Sequence, residues 1–308
     1  MRFDPFARRL RIAALVPVLA LGLVACDDDD DPTGNDVPTL YELAQDEAEL
    51  STLVAAIDAA GLDGVIDEQG PFTVFAPVNS AFDDLPAGAV GNLVLPQNED
   101  LLTKILTYHV VAGEVFAADL SDGQIITTLA GETLEVDIAG SSVSLIDGSG
   151  NAISVVGTDL EASNGVAHLI DMVALPELDI LETAAINGFT TLVALVEDAG
   201  LTGTLQGDGP FTVFAPTDDA FAEIEAPTGE LLESVLLYHV VAGEVFAADL
   251  SDGQVVTTAS GESFTVNIDG SSVTITDGSG NTVNVVVTDV PASNGIIHVI
   301  DGVLLPPV

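Results

Sequence analysis

Two tyrosine–histidine pairs stand out in this sequence because their side chains could contact a ligand. His109 follows Tyr108, and His239 follows Tyr238. In one interpretation, each pair lies at the base of a strand and binds a partner. In the other, the tyrosine ring packs while the histidine satisfies buried backbone groups, since a ring with a polar end suits the edge of a core. These four residues are the candidate binding residues, and both interpretations are open at this point.

The other two histidines, His168 and His298, each stand three positions before an aspartate, which raises the question of a metal site. Their neighbours are apolar and predict a buried strand, in which successive side chains point to opposite faces. Two ligands without a third or fourth make a poor transition-metal site. The sequence therefore predicts no metal ligand and no cofactor.

Residues 147–151 and 277–281 both read Asp-Gly-Ser-Gly-Asn. Their oxygen atoms could approach Ca²⁺, but the segments lack the spaced carboxylates and the terminal glutamate of an EF-hand loop. Such a composition between two β-rich runs is typical of a hairpin turn. We therefore predict a turn at each segment.

No catalytic motif occurs in the sequence. A nucleophile elbow, a Cys/His pair and a glycine-rich phosphate loop are all missing. Because the chain has 49 Asp and Glu residues, chance carboxylate pairs are expected and do not indicate glycosidase chemistry. The sequence predicts no catalytic residue and a protein that is not an enzyme.

The charge of the chain is strongly one-sided, with 5 Lys and Arg against 49 Asp and Glu and a formal net charge of −44. After Arg11, the only Lys or Arg is Lys104. Nucleic acid is excluded as a partner, since phosphate binding needs basic side chains. Two explanations of the acidity remain. One is adaptation to a saline environment, and the other is recruitment of divalent cations or of a basic partner.

The N-terminus has the pattern of an export signal. Arg8, Arg9 and Arg11 precede an apolar stretch that ends in Leu-Val-Ala before Cys26, the single cysteine. This arrangement resembles the bacterial lipobox, so residues 1–25 are predicted to be a lipoprotein signal peptide and Cys26 to be lipidated. Residues 26–36 include five successive aspartates and are predicted to form a solvated acidic tether. We expect an exported, lipid-anchored envelope protein, with the inner membrane, the outer membrane and the surface all open.

The rest of the chain is an internal repeat. Residues 108–124 and 238–254 are identical, an offset of 130, and Gly-Pro-Phe-Thr-Val-Phe-Ala-Pro begins at both Gly70 and Gly209, an offset of 139. The first copy thus has nine more residues between these blocks, expected around Val94–Asp100. We predict two tandem domains, residues 37–176 and 177–308, joined as a semi-rigid pair by almost no linker. The acidic residues in the identical segments mark either a duplicated contact surface or a recent duplication.

Periodicity predicts the class of the domains. Leu50, Leu53, Val54 and Ile57 have helical spacing in the first part of the first copy. The later part alternates instead, as in residues 134–138, where every second residue is apolar. Helices followed by antiparallel strands predict an α+β fold.

Three ordered blocks in each copy resemble the fasciclin (FAS1) domain family. In the first copy, the blocks are residues 73–77 together with Ala81-Phe82, the pair Tyr108-His109, and residues 164–171. In the second copy, the corresponding blocks are residues 212–216 together with Ala220-Phe221, the pair Tyr238-His239, and residues 294–306. The resemblance covers both copies nearly end to end. It implies, for each copy, an antiparallel β-wedge with N-terminal and flanking helices.

The resemblance also implies an extracellular role in adhesion. In some animal members, the neighbourhood of the Tyr-His motif is implicated in integrin binding. Here the expected partners are cell-surface or matrix polymers, either polysaccharide or protein, with the membrane contacted through lipidated Cys26. The alternative is an envelope lipoprotein that binds a small molecule or a glycan near the Tyr-His motifs. The oligomeric state is not predicted.

Overall fold

A computed structural model describes residues 37–224 and 228–307 of the chain. The predicted signal peptide, the lipidation site Cys26 and the acidic tether lie outside these residues. Within the described part, no helix combines the length and the apolar character needed to cross a membrane.

The first domain begins with helices and continues with strands, as the sequence predicts. Its helices and strands are α1 (Leu40–Asp46), α2 (Ser51–Ala59), α3 (Asp63–Glu68), β1 (Phe72–Pro77), α4 (Ala89–Leu93), α5 (Glu99–Tyr108), β2 (Val110–Ala112), β3 (Ile125–Thr127), β4 (Thr133–Ala139), β5 (Ser142–Ile146), β6 (Ala152–Ala162) and β7 (Gly165–Ile170).

The second domain repeats this order. Its elements are α6 (Ile180–Ile186), α7 (Thr190–Asp198), α8 (Thr202–Leu205), β8 (Phe211–Pro216), α9 (Asp218–Ala222), α10 (Glu230–Tyr238), β9 (Val240–Ala242), β10 (Val255–Thr257), β11 (Ser263–Asp269), β12 (Ser272–Thr276), β13 (Thr282–Ala292) and β14 (Gly295–Ile300).

Each domain has a seven-stranded sheet, in the order β2-β1-β7-β6-β5-β4-β3 in the first and β9-β8-β14-β13-β12-β11-β10 in the second. The prediction of an antiparallel wedge needs one correction, because β1 pairs with β7, and β8 with β14, in parallel. These partners are separated by most of a domain, and only such a long connection lets two strands run in the same direction. All six residues of β1 are buried, which is typical of a parallel strand covered on both faces.

Two apolar cores form in each domain, one within the curved sheet and one between the sheet and the helices. The predicted alternation in β4 is confirmed, since Leu134 and Val136 are fully buried in the sheet core. The predicted helix spacing is confirmed too, as Leu53 and Ile57 point from α2 into the helical core. After the helices, Gly61 and Gly200 have φ values of +62° and +69°, a conformation that glycine adopts without strain.

The nine additional residues of the first domain lie at the junction between the domains. Helix α4 and the 3₁₀ turn Pro96–Asn98 are found in this part of the chain, and α4 packs against α6 of the second domain. The α6 residues Ala185 and Ile186 belong to the helical core of the first domain. The two domains therefore share buried apolar surface, and residues 37–307 form one compact unit.

Candidate functional site

Tyr108 stands at the end of α5, with its ring fully buried in the sheet core. Its hydroxyl donates to the carbonyl oxygen of Thr133 at 2.8 Å and accepts from the backbone N–H of Gly148 at 2.8 Å. Tyr238 makes the same two bonds, to Ser263 and Gly278. Burial raises the pKa of both tyrosines, so both hydroxyls stay protonated and can donate. Each tyrosine thus ties the end of a helix to a strand and to a hairpin loop.

His109 fixes the segment that leaves β7. Its Nε2 accepts from the backbone N–H of Ala174 at 2.9 Å, so the ring proton must be on Nδ1, which donates to the carbonyl oxygen of Ile105 at 2.7 Å. His239 binds Leu304 and Val235 in the same way. Only the neutral ring satisfies both bonds, and burial lowers the pKa of His109 and of His239 to about 4.

The four candidate binding residues therefore lie in the interior, each at most 2% exposed. Their polar atoms are used by the protein's own backbone, which gives them a positioning role. A large partner could not touch these side chains in the folded conformation described. Direct ligand contact by Tyr108, His109, Tyr238 and His239 stays a prediction without support from this geometry.

The two Asp-Gly-Ser-Gly-Asn segments form the predicted turns, between β5 and β6 and between β12 and β13. Asp147 is buried, and its carboxylate accepts from the backbone N–H groups of Asn151 at 2.8 Å and Leu175 at 3.0 Å. The carboxylate of Asp277 has equivalent bonds. These oxygens hold the turn against the segment that follows β7 or β14. Among the described residues, no group of three or more His, Cys, Asp and Glu side chains is placed to hold a metal ion.

His168 is buried in β7 and positions the identical segment of its domain. Its Nε2 donates to the carbonyl oxygen of Val115 at 2.8 Å, and its Nδ1 accepts from the N–H of Asp159 at 3.3 Å. Asp159 adopts a φ of +58°, and its carboxylate accepts from the N–H of Ala117 at 2.8 Å. His298, Asp289 and Ala247 repeat this arrangement. The role of Asp159 was not predicted from the sequence, although the recurrence of an aspartate at position 289 was a signal.

The carboxylates on the identical segment differ in their freedom to bind a partner. Asp119 accepts from the N–H of Phe116 at 3.3 Å, and Asp122 accepts from the N–H of Ile138 at 3.0 Å. Glu114 is exposed, and its carboxylate has no hydrogen bond to the described residues. Two of the three acids in the first copy therefore shape their own loop.

The cavities beside the Tyr-His motifs are much smaller than the cavity at the junction between the domains. The cavities that touch His239 and His109 each measure about 20 Å³ and are almost entirely apolar. A cleft of about 360 Å³ lies instead at the junction, lined by the 147–151 turn, by α6 and by residues 290–293. We call this space the junction cleft. Its volume falls within the range of small-molecule sites, whereas a 20 Å³ cavity holds about one water.

Lys104 lies at the same junction, a position that the sequence did not indicate. Its ammonium lies 3.0 Å and 3.2 Å from the two carboxylate oxygens of Glu182 and 3.6 Å from Glu132. It also donates to the carbonyl oxygen of Glu177 at 2.8 Å. The single basic residue after Arg11 thus binds the first turn of the second domain to the first domain.

Comparisons with known proteins agree with the repeat. A family model described as "Fasciclin domain" matches residues 48–176 and 187–306. Protein sll1483 of Synechocystis sp. is 47% identical over 140 residues, which are 46% of this chain and 74% of that protein. Human periostin is 29% identical over 232 residues, covering 74% of this chain but 27% of periostin.

Among solved structures, a FAS1 domain pair from the insect cell adhesion molecule Fasciclin I matches with a TM-score of 0.38 and 21% identity. That match covers 86% of this chain and 95% of the insect chain. The family assignment itself rests on the two matched regions, which include both seven-stranded sheets, and on the bacterial relative. This chain belongs to the fasciclin domain family.

Proposed function

We propose that this chain is a non-catalytic adhesion protein, held on the outside of the cell by a lipid on Cys26. The observation that carries the proposal is the pairing of two fasciclin domains through a packed junction. Each domain contains the same segment, residues 108–124 or 238–254, and in the part of the chain that the structure describes every buried side-chain nitrogen and oxygen has a hydrogen-bond partner. In this proposal the domains are residues 37–176 and 177–308, and they bind cell-surface or matrix polymers.

Bivalency is the physical advantage of such a pair. Two weak sites on one rigid unit act at a high effective concentration toward a repeating polymer, so their combined affinity exceeds that of either site. The net charge of −44 favours partners that are neutral or basic over acidic ones.

The alternative of small-molecule binding at the Tyr-His motifs has less support. A ligand pocket usually measures about 300–1,000 Å³, and the cavities beside His109 and His239 are about 20 Å³. A small molecule could enter only if α5 or α10 moved away from its sheet. A structure of the protein with a ligand seated against either histidine would restore this alternative.

Attachment of cells tests the adhesion proposal. Deletion of the gene should lower surface attachment or aggregation, and the intact gene should restore it. A Cys26→Ser variant should neither incorporate a labelled fatty acid nor restore attachment, although it is still exported. Unchanged attachment in the deletion strain would refute the adhesion role. Labelling of the Cys26→Ser variant would refute the anchor.

A further inference from the structure

The junction cleft is a cavity whose size suits a ligand, and it is present only because the two domains are joined. Ser149 contributes from the turn of the first domain, Thr183 and Asn187 from the region of α6, and Ser293 from the loop between β13 and β14. Neither domain encloses this space alone. Its volume of about 360 Å³ is at the lower end of the range for small-molecule sites.

The polar side chains of the cleft have hydrogen-bonding capacity to spare. Ser149 and Thr183 reach backbone carbonyls only at 3.4 Å and 3.5 Å, which is the weak end of hydrogen-bond geometry. Asn187 uses its amide N–H on the carbonyl of Thr183 at 2.8 Å, so its amide oxygen can accept another bond. Ser293 bonds Leu178 through its backbone N–H, and its hydroxyl has no partner among the described residues.

Charge limits the class of ligand. Glu177 is the one charged side chain that lines the cleft, and no Lys or Arg lines it, so an anion would be repelled. The Lys104 ammonium lies 2.8 Å from the carbonyl oxygen of Glu177 and offsets part of the negative field. The cleft has three hydroxyls that can both donate and accept, those of Ser149, Thr183 and Ser293. It also has two acceptors, the amide oxygen of Asn187 and the carboxylate of Glu177. Such a set matches a ligand that is rich in hydroxyl groups. Pro86 and Pro291 add apolar walls against which the C–H faces of a ring could pack.

We propose that the junction cleft binds a neutral saccharide unit. This inference rests on the proposed function, because it makes the attachment partner an uncharged polysaccharide and the cleft the place where one of its sugars is held. The buried Tyr108 helps to position one wall of the cleft. The tyrosine hydroxyl accepts from the N–H of Gly148 at 2.8 Å and so holds the turn that carries Ser149 at the edge of the cleft.

The duplication supplies a matched control for the test. Ser149 and Ser279 occupy equivalent turns, and each hydroxyl donates to a proline carbonyl, at 3.4 Å and 3.0 Å. Both serines are exposed, but only Ser149 lines the junction cleft. A Ser149→Trp substitution should fill the cleft, whereas Ser279→Trp places the same ring on the same turn elsewhere. Ser293→Trp and its counterpart Ser163→Trp give a second pair, in case one variant fails to fold.

The experiment is a calorimetric titration of the full-length protein in detergent with cellobiose, glucuronate or choline. We expect saturable binding of cellobiose, at least tenfold weaker in Ser149→Trp and Ser293→Trp and unchanged in the two controls. Binding of choline or glucuronate in preference to cellobiose would overturn the ligand class. An equal loss in Ser279→Trp would overturn the location.

Attachment assays on the same variants distinguish this inference from the proposed function. If cellobiose does not bind while gene deletion still lowers attachment, the saccharide site is wrong and the adhesion role stands. If cellobiose binds at the cleft while deletion leaves attachment unchanged, the site stands and the adhesion role is wrong.

Discussion

Replacing Lys104 tests whether a single ion pair stabilises the junction of the two domains. Lys104→Met removes the ammonium while keeping an apolar stem of similar length, and Glu182→Gln removes its nearest carboxylate. Lys104 contacts Glu182 at 3.0 Å, and their side chains are 28% and 21% exposed. The pair is thus neither fully buried nor freely solvated.

The expected magnitude follows from these distances. At about 3 Å and an effective dielectric constant of about 20, Coulomb's law gives roughly 5 kcal/mol between two unit charges. Partial loss of hydration and the ordering of two long side chains offset most of this Coulomb energy. Fully exposed ion pairs retain about 0.2–1 kcal/mol. For this partly shielded pair, we expect a coupling free energy of about 1–2 kcal/mol.

A double-mutant cycle measured by urea unfolding isolates that coupling, because urea adds no ions. The first domain supplies the control. At the start of α1, the carboxylate of Glu42 completes a capping box by accepting from the backbone N–H of Thr39 at 3.0 Å. At the start of α6, the carboxylate of Glu182 accepts in the same way from the N–H of Asp179 at 2.9 Å. Glu42→Gln therefore makes the same change in an equivalent capping box that has no lysine, and in both helices the glutamine carbonyl can still accept the hydrogen bond. Its effect should add to that of Lys104→Met within about 0.3–0.5 kcal/mol.

A coupling between Lys104 and Glu182 no larger than that between Lys104 and Glu42 would refute this account of the junction. A second result would refute it as well. Raising NaCl should weaken the Lys104–Glu182 coupling by screening, so a coupling that grows with salt has another origin.

Three further predictions concern the whole fold. First, the melting temperature should rise with NaCl, because salt screens the repulsion behind a net charge of −44, and a melting temperature independent of NaCl would exclude this. Second, burial lowers the pKa of His109 and His239 to about 4, below the roughly 6.5 of an unfolded histidine, so the unfolded chain takes up these protons first. Stability should therefore fall by roughly 1.5 kcal/mol per histidine from pH 6.5 to pH 5, and His109→Gln should reduce that slope in urea unfolding, whereas an unchanged slope would contradict the assignment. Third, Tyr108→Phe and Tyr238→Phe should each cost about 1–3 kcal/mol, because each removes a hydroxyl that makes two partly buried hydrogen bonds worth about 0.5–1.5 kcal/mol apiece, and a loss below about 0.5 kcal/mol would mean that water replaces the hydroxyl.

Local features of the sequence predicted much of each domain. Alternation at Leu134 and Val136 predicted a strand with one buried face, because side chains along a strand point to alternate sides. The Asp-Gly-Ser-Gly-Asn segments predicted turns, since their glycines and short polar side chains bond the nearby backbone. The repeat predicted two domains before any element was assigned. The predicted roles of Cys26 and of residues 1–36 are for labelling and export experiments to test.

Other features depend on contacts between residues far apart in the chain. Tyr108 bonds Gly148, and His109 bonds Ala174. The sequence permitted either a buried or a binding role for both, and the burial of their rings supports the first. The parallel pairing of β1 with β7 could not be predicted from the sequence either. Alternation indicates which face of a strand is buried, but it does not indicate which strand lies beside it or in which direction that strand runs.

The junction between the domains shows most clearly which features the local sequence predicts and which depend on distant contacts. Ile186 ends α6 in a buried position, whereas Asp46 ends the corresponding helix α1, and this apolar substitution was visible in the sequence. What covers Ile186 was not visible, since the covering surface comes from the first domain. The sequence by itself determined the repeat, the class of fold and the family. Only the tertiary structure decided where Lys104 binds, that the Tyr-His pairs are buried, and that a cleft opens between the domains, because each depends on packing between segments distant in the chain.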